Sequence, residues 1–260
     1  MILEALNYAA TWRVTAKDHR PFIRYSINLW SRGRRCAADW AEHEANTKRA
    51  ILSVASTCPT RRTAVVLGSG LLRDVPILEL ARAFDTVVLI DLVHVASVRS
   101  WLAAKGLKTV KLIERDLSGY TALKTGETPE PLEFLRRVPF LDLVVSVNLL
   151  SQIGRGVERR MAADGAGAVP PDAVSRLIRA HVSGLAQVAA KVCLVTDTRY
   201  EVIDRNEYSH ETVDLMAGVA LPDAFGVWNW PVAPLGEESR DYRIMHHVQA
   251  MAGPGQGWLP

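Results

Sequence analysis

Residues 64–74 read Ala64-Val65-Val66-Leu67-Gly68-Ser69-Gly70-Leu71-Leu72-Arg73-Asp74, and this stretch decides the fold of the 260-residue chain. It opens with an apolar, β-branched run that is typical of a strand buried on both faces. It then turns through Gly68 and Gly70 towards a helix that Asp74 is predicted to cap. Glycines are needed where a ligand approaches the backbone closely while the chain turns. The stretch therefore predicts a strand, a ligand-binding turn and a helix in succession.

From Thr63 onward, short β-branched runs alternate with amphipathic stretches. This alternation is typical of a parallel sheet wrapped by helices on both faces. We therefore predict an α/β fold with a doubly wound, mostly parallel, seven-stranded sheet. The predicted strands are Thr63–Leu67, Thr86–Ile90, Thr109–Ile113, Leu141–Val147, Val192–Thr196, Phe225–Val232 and Tyr242–Met251.

Residues 1–62 show helical periodicity and no strand pattern, so we predict a helical N-terminal cap over 1–62 and a sheet domain over 63–260. The cap holds 11 Lys/Arg against 5 Asp/Glu, which is typical of solvated helix faces but also leaves an anionic partner open. We expect deletion of residues 1–40 to leave a folded sheet domain without turnover. The opposing interpretation is that Phe22, Ile27 and Trp30 belong to the core, so that the deletion unfolds the protein.

The composition excludes several classes of protein. The chain is 48% apolar and 23% charged, close to the average of folded domains. No run reaches the roughly 18 apolar residues of a membrane helix, and the N-terminus lacks the pattern of a signal peptide. The cysteines Cys36, Cys58 and Cys193 are too widely spaced for a zinc site or a disulfide framework. We therefore predict a cytoplasmic protein.

Carboxylates follow two of the predicted strands. Asp91 ends the second strand about 20 residues after the glycines, where a carboxylate can accept both ribose hydroxyls of a nucleotide. Asp116 follows the third strand, and Asn148 follows the fourth. Because ligands of parallel sheets bind beyond the carboxyl ends of the strands, these residues are expected to lie around one ligand.

With these residues in this order, the chain from about residue 60 to 250 resembles the class I, Rossmann-like S-adenosylmethionine (SAM) dependent methyltransferases. The resemblance implies a Rossmann-like SAM-binding domain over 63–260, whose last strand is antiparallel, and SAM as cofactor. It also implies that the glycine loop passes under the cofactor, that Asp91 binds its ribose and that Asp116 meets its adenine amino group. The implied cofactor-binding residues are Gly68, Ser69, Gly70, Asp91, Leu92, Asp116, Leu117 and Asn148.

Two positions depart from the family's glycine motif. Val66 stands where the family has an acid, and Leu72 stands where it has a third glycine. These departures keep open an alternative, a catalytically inactive binding or scaffold protein. An NAD(P)-binding oxidoreductase is a further alternative, but its fingerprint places a glycine where this chain has Arg73. The pattern therefore favours SAM over NAD(P).

The acceptor of the methyl group is expected to be a small molecule, because the helical cap is suited to closing a pocket; RNA or protein acceptors remain open. Leu149-Leu150-Ser151 replaces the Asn/Asp-Pro-Pro-aromatic motif of enzymes that methylate amino groups of DNA bases or glutamine amides, which argues against those substrates. The residues predicted to line the substrate pocket are Gln152, Asp197 and Arg199.

Histidines and tryptophans supply the remaining candidates. His181 lies on an apolar helix face, so it is either a core histidine or a general base. His246 and His247 alternate on a strand, so at most one faces inward. Trp228 and Trp230 point the same way, either into the core or as the floor of a pocket. No histidine has a second partner at metal-ligand spacing, so no metal is predicted.

Overall fold

The computed structural model describes residues 2–165, 167, 169–253 and 258. Its strands are β1 Thr63–Leu67, β2 Thr86–Asp91, β3 Val110–Glu114, β4 Leu141–Val147, β5 Lys191–Asp204, β6 Ser209–Asp214, β7 Gly226–Ala233 and β8 Tyr242–Gly253. Its α-helices are α1 Ile2–Val14, α2 Ile23–Arg35, α3 Ala37–Ser56, α4 Ile77–Ala83, α5 Ala96–Ala104, α6 Tyr120–Lys124, α7 Leu150–Asp164 and α8 Ala173–Ala186. Short 3-10 helices cover Lys17–Phe22 and Glu133–Arg137.

The strands form one sheet in the order β3-β2-β1-β4-β5-β8-β7. The five strands β1 to β5 are parallel to one another, whereas β8 runs antiparallel between β5 and β7. The reversed last strand is the one that the resemblance implies. The predicted doubly wound fold is therefore confirmed.

The sheet differs from the prediction at β5. This strand does not end at Thr196 but continues to Asp204, and its outer half pairs with β6, an eighth strand that was not predicted. The residues of β6 are mostly exposed. Because the β5–β6 extension lies outside the part of the sheet that helices cover, it lacks the continuous apolar run by which the inner strands were predicted.

Two apolar layers cover the sheet, one on each face. Helices α2 to α5 pack on one face, where Ile23 and Ile51 join Val66 in a single cluster. Helices α6 to α8 pack on the other face, where Leu177 contacts the cluster around Val65. Neighbouring residues of β1 thus enter opposite layers, which explains why the strand is apolar throughout.

The N-terminal helices attach to the sheet domain through specific polar contacts. In α1, the Thr11 hydroxyl accepts a hydrogen bond from the backbone N–H of Ala96 at 2.9 Å, at the start of α5. In α2, Arg35 forms an ion pair with Glu237 in the β7–β8 loop. In α3, the Trp40 indole donates to the carbonyl of Pro231 at 3.1 Å. The division of the chain at residue 62 stays a prediction.

Within the described ranges, no helix has the length and apolarity that crossing a membrane requires. The three cysteines are buried and free. Burial raises the pKa of the Cys193 thiol to about 12, so the thiol stays protonated at neutral pH.

Candidate functional site

The glycine turn after β1 combines one crowded and one open position. Gly68 has a φ of +72°, and a Cβ there would lie 2.8 Å from the carbonyl oxygen of Val147. Gly70 has a φ of +50°, but its nearest obstacle would be the carbonyl oxygen of Gly68 at 3.8 Å. Gly68 is therefore required by the neighbouring strand, whereas Gly70 leaves space above the turn.

We expect Gly68→Ala to lower the free energy of unfolding by about 3 kcal/mol, because backbone strain at positive φ adds to a contact with a main-chain atom that cannot move aside. Gly70→Ala carries the backbone strain alone and is expected to cost about 1 kcal/mol. Urea unfolding of both variants measures the difference. Equal losses would show that crowding by β4 does not decide the residue at position 68.

Asp91 ends β2 directly beside this turn. Its Oδ2 accepts a hydrogen bond from the backbone N–H of Gly70, and its Oδ1 accepts one from that of Leu92, both at 2.7 Å. Burial raises the pKa of the carboxyl, although the nearby His94 and the backbone N–H groups oppose the rise. Because each oxygen can accept a further hydrogen bond, the carboxylate is held in place with capacity left for a ligand.

His94 lies under Asp91 and is fully buried. Its Nε2 donates to the carbonyl of Ile113 at 3.1 Å, while its Nδ1 has no partner among the described residues. Burial lowers the pKa of the ring, which favours its neutral form.

Asp116 follows β3 and is held by α7. Its Oδ2 accepts a hydrogen bond from Arg160 at 2.7 Å, and its Oδ1 accepts one from the backbone N–H of Ser118 at 2.8 Å. Burial alone raises the pKa of Asp116, but the bonds from Ser118 and the charge of Arg160 outweigh it and lower the pKa below its usual value. Leu92 is half-buried and Leu117 is buried beside these two acids.

Asn148 follows β4 with a φ of +47°. Its Nδ2 donates to Oδ2 of Asp74 at 2.8 Å, and burial raises the pKa of that carboxyl to about 6. The predicted role of Asp74 as a helix cap is wrong, because α4 begins only at Ile77 and Pro76 occupies the N-cap position. Two polar atoms of this region, Oδ1 of Asn148 and Oγ of Ser69, are buried without a partner in the described part of the chain.

An aromatic cluster adjoins Asn148. His43 of α3 stacks on the ring of Trp230 at a centroid distance of 4.0 Å, and its Nδ1 accepts a hydrogen bond from the Trp228 indole at 3.0 Å. Its Nε2 lies 3.4 Å from the Asn148 side-chain nitrogen. Burial lowers the pKa of His43 to about 3, so the ring is neutral at physiological pH. Trp228 and Trp230 do point the same way, as their spacing predicts.

A buried polar group lies on the other side of Trp230. Asp197 of β5 accepts hydrogen bonds from the Ser151 hydroxyl and from Nδ1 of His246, both at 2.5 Å. His246 is buried, whereas its neighbour His247 is partly exposed and lies 2.9 Å from Glu201. Alternation on the strand indicated that at most one of the two histidines faces inward, but no spacing in the sequence joins His246 to Asp197.

Three predicted residues lie elsewhere. Gln152 is exposed in the first turn of α7, and Arg199 is exposed with its Nε 3.8 Å from Glu201; as substrate residues both stay predictions. His181 is fully buried, with Nε2 3.0 Å from the Ser146 hydroxyl, and burial lowers its pKa to about 4. Those surroundings favour the interpretation of His181 as a core histidine.

Among the residues that the structure covers, no group of three His, Cys, Asp or Glu side chains is arranged to hold a metal ion.

No protein-family model and no curated protein matches the sequence. Three solved structures are similar in fold. The N-methyltransferase NodS from Bradyrhizobium japonicum WM9, in complex with S-adenosyl-L-homocysteine (SAH), is 11% identical with a TM-score of 0.41, over 81% of this chain and 87% of NodS. A SAM-dependent methyltransferase from Aquifex aeolicus is 9% identical (TM-score 0.36; 82% and 97% covered), and the N-terminal domain of EvdMO1 with SAH bound is 16% identical (TM-score 0.39; 78% and 80% covered). At these scores, none of them assigns a function to this chain.

Proposed function

We propose that the protein is a SAM-dependent methyltransferase that acts on a small molecule. The observation that carries the proposal is the anchored carboxylate of Asp91, which ends β2 beside the open side of the Gly70 turn. In a doubly wound sheet, this is where the ribose of a nucleotide-like ligand binds.

The residues around Asp91 fit SAM. Asp91 retains acceptor capacity for two ribose hydroxyls, and the space above Gly70 admits the ligand close to the backbone. Asp116 lies at the end of the next strand, where its carboxylate accepts from an adenine amino group, and Leu92 and Leu117 offer apolar surface to the ring. The Ser69 hydroxyl and Asn148 Oδ1, which lack partners within the described ranges, supply further polar contacts. We assign the cofactor to these residues.

SAM, when bound, supplies an electrophilic methyl group on a positively charged sulfur. The work left to the protein is to align the acceptor with the methyl–sulfur bond and to exclude water. Asn148 and the aromatic cluster of His43 and Trp230 lie next to the carboxyl end of β4, and we assign to them the alignment of the acceptor and the exclusion of water. They present rigid walls, because each ring packs against another.

A small acceptor is favoured by the cover over this edge of the sheet. Arg73 of the glycine turn pairs with Glu44 of α3 at 2.6 Å. Arg160, which holds Asp116, lies over the ring of Phe22 at 4.9 Å. Residues of the cap thus contact the glycine turn after β1 and the Arg160 side chain of α7, and this leaves little access for a macromolecule. The buried, free cysteines are in keeping with a cytoplasmic location, which we also propose.

Calorimetry of the whole chain with SAM and with SAH tests the assignment. We expect both to bind, and a concentration of SAM 100-fold above its Kd should stabilise the folded state by about 2.7 kcal/mol. No heat of binding and no change in Tm at millimolar SAM would refute the proposal.

The inactive scaffold remains the second candidate, and one observation favours it. Both carboxylate oxygens of Asp116 already have partners, one of them the guanidinium of Arg160, so the position that would receive the adenine is partly satisfied within the protein. The same calorimetry separates the two candidates, because a scaffold without cofactor affinity melts at the same temperature with and without SAM.

A further inference from the structure

Three buried polar atoms that have no partner among the described residues lie along one line of contacts at the carboxyl ends of β4 and β5. They are Oδ1 of Asn148, Nε1 of Trp230 and Nε2 of His246. His43 joins the first two, since it lies beside Asn148 and stacks on Trp230, and Trp230 meets the ring of His246 edge-on at 5.8 Å. Polar atoms left unpaired in a protein interior are costly. Their grouping therefore indicates the position of a polar ligand.

The hydrogen bonds of Asp197 determine which nitrogen of His246 is available. A carboxylate only accepts, so the 2.5 Å contact with Oδ2 requires that Nδ1 of His246 carry the proton. Nε2 is then the nitrogen left to accept a proton, and it is buried without a hydrogen-bond partner among the described residues. Burial alone raises the pKa of Asp197, but its bonds with His246 and Ser151 outweigh the burial and lower the pKa, so the carboxyl stays ionised.

We infer that His246, oriented by Asp197, is the general base that takes the proton of the methyl acceptor, and that the acceptor is a hydroxyl group on an aromatic ring. This inference rests on the proposed function. Asp197 is the positioning residue of the pair, and Ser151 holds its second oxygen.

The walls of the cluster point to an aromatic acceptor. The ring of Tyr200 stacks on His246 at 5.5 Å, and Trp230 and His43 continue the aromatic surface. Planar ligands pack well against such rings. The guanidinium of Arg155 lies 5.4 Å from the centroid of the Tyr200 ring, so this part of the cluster carries a positive charge.

The same contacts disfavour a protonated amine as acceptor. Asp197 is 3% exposed and its two oxygens accept from Ser151 and His246, so this carboxylate, unlike the half-buried Asp91, is shielded from an ammonium group of a ligand. An aromatic hydroxyl needs no such partner, because it is neutral when it binds and donates its proton to Nε2 of His246.

The reaction balances with these groups. The hydroxyl oxygen attacks the methyl carbon of SAM while its proton passes to Nε2 of His246; an O–C bond forms, and the C–S bond breaks with its electron pair left on sulfur. The products are the methyl ether and neutral SAH. The imidazolium is stabilised by Asp197 until it releases its proton to solvent. The other titratable or charged groups around His246 are His43 from α3, Tyr200 from β5 and Arg155 from α7.

Nitrogen-15 NMR of histidine-labelled protein tests the tautomer and the ligand without any cofactor. We expect His246 to be protonated at Nδ1 near neutral pH, and phenol to shift its Nε2 resonance, whereas toluene, which lacks the hydroxyl, leaves it in place. A proton on Nε2, or equal shifts with phenol and toluene, would overturn the inference. His247→Gln, which removes the outward neighbour, is the matched control and should leave both results unchanged.

Turnover of the whole chain with SAM and phenol provides the second readout. We expect anisole to form, and His246→Gln to lower kcat at least 100-fold, since general base catalysis contributes about that factor or more. Asp197→Asn should lose the Nδ1 tautomer in the NMR spectrum as well as activity. Undiminished anisole formation by His246→Gln, or none by the wild-type chain with SAM bound, would refute the assignment.

Calorimetry keeps this inference separate from the proposed function. His246→Gln and Asp197→Asn should bind SAM as the wild-type chain does, because neither side chain is assigned to the cofactor. A wild-type chain that fails to bind SAM would overturn the proposed function, and the methyl transfer inferred here with it. A chain that binds SAM but has the wrong tautomer would overturn the inference alone.

Discussion

Asp91→Ala is expected to weaken SAM binding at least 100-fold. The substitution removes the carboxylate that accepts from Gly70 and Leu92 and that is assigned to the ribose hydroxyls. A hydrogen bond to a charged group contributes about 1.5–3 kcal/mol, so the loss of two corresponds to about 3 kcal/mol or more, and about 2.7 kcal/mol is a factor of 100 in Kd. Isothermal titration with SAM measures the effect.

Asp85→Ala is the matched control for this experiment. Asp85 precedes β2 at the opposite edge of the sheet and is exposed, so its removal should leave the Kd for SAM unchanged. Asp91→Asn is a second variant, which keeps the size of the side chain in case Asp91→Ala disturbs the turn. Its amide NH₂ would face one of the two backbone N–H groups, so we expect a loss of SAM affinity smaller than that of Asp91→Ala. Wild-type affinity in both Asp91 variants would contradict the assignment of the ribose to this residue.

Deletion of residues 1–40 is expected to unfold the protein. It removes Ile23, Ile27 and Trp40, which are 0%, 5% and 4% exposed. Truncation of one large core side chain typically costs about 2–5 kcal/mol, and a typical domain has only about 5–15 kcal/mol in total. The packing of these residues therefore favours unfolding over a stable sheet domain that has only lost turnover. Circular dichroism and size-exclusion chromatography measure the outcome.

A shorter deletion provides the comparison. Removal of residues 1–6 takes away the start of α1, where Ile2, Leu3 and Leu6 are largely exposed, and leaves the bonds of Asn7 and Thr11 to α5 in place. We expect this variant to keep its fold and its Tm to within a few degrees. A chain lacking residues 1–40 that melted cooperatively would show that the sheet domain folds without these residues, as is predicted from the sequence.

The sequence alone was sufficient for the inner sheet and for the side of the site assigned to the cofactor. Strands β1, β2 and β4 are short, mostly apolar runs, and such runs are a local signal of strands covered on both faces. Asp91 and Asp116 were predicted to lie near one another because the carboxyl ends of parallel strands meet at one edge. That prediction needs only the order of the strands, not the positions of side chains.

The extension of β5 and the strand β6 could not be predicted in this way. Their residues are largely polar and exposed, so they lack the apolar pattern that marks buried strands. Asp74 shows a related limit. Its spacing before Pro76 is that of a helix cap, but the hydrogen bond with Asn148, 74 residues further on, draws the side chain into the site.

What the sequence by itself determined is the α/β class, the turn at Gly68 and Gly70, and the carboxylate that ends β2, because each depends on neighbours in the chain. Only the tertiary structure decided that His43, Trp230 and His246 meet beside Asn148, and that Asp197 orients His246. Asp197 and His246 are 49 residues apart and come together through the antiparallel pairing of β8 with β5. A one-residue change in that register would turn His246 to the opposite face of the sheet, since successive side chains of a strand alternate between faces.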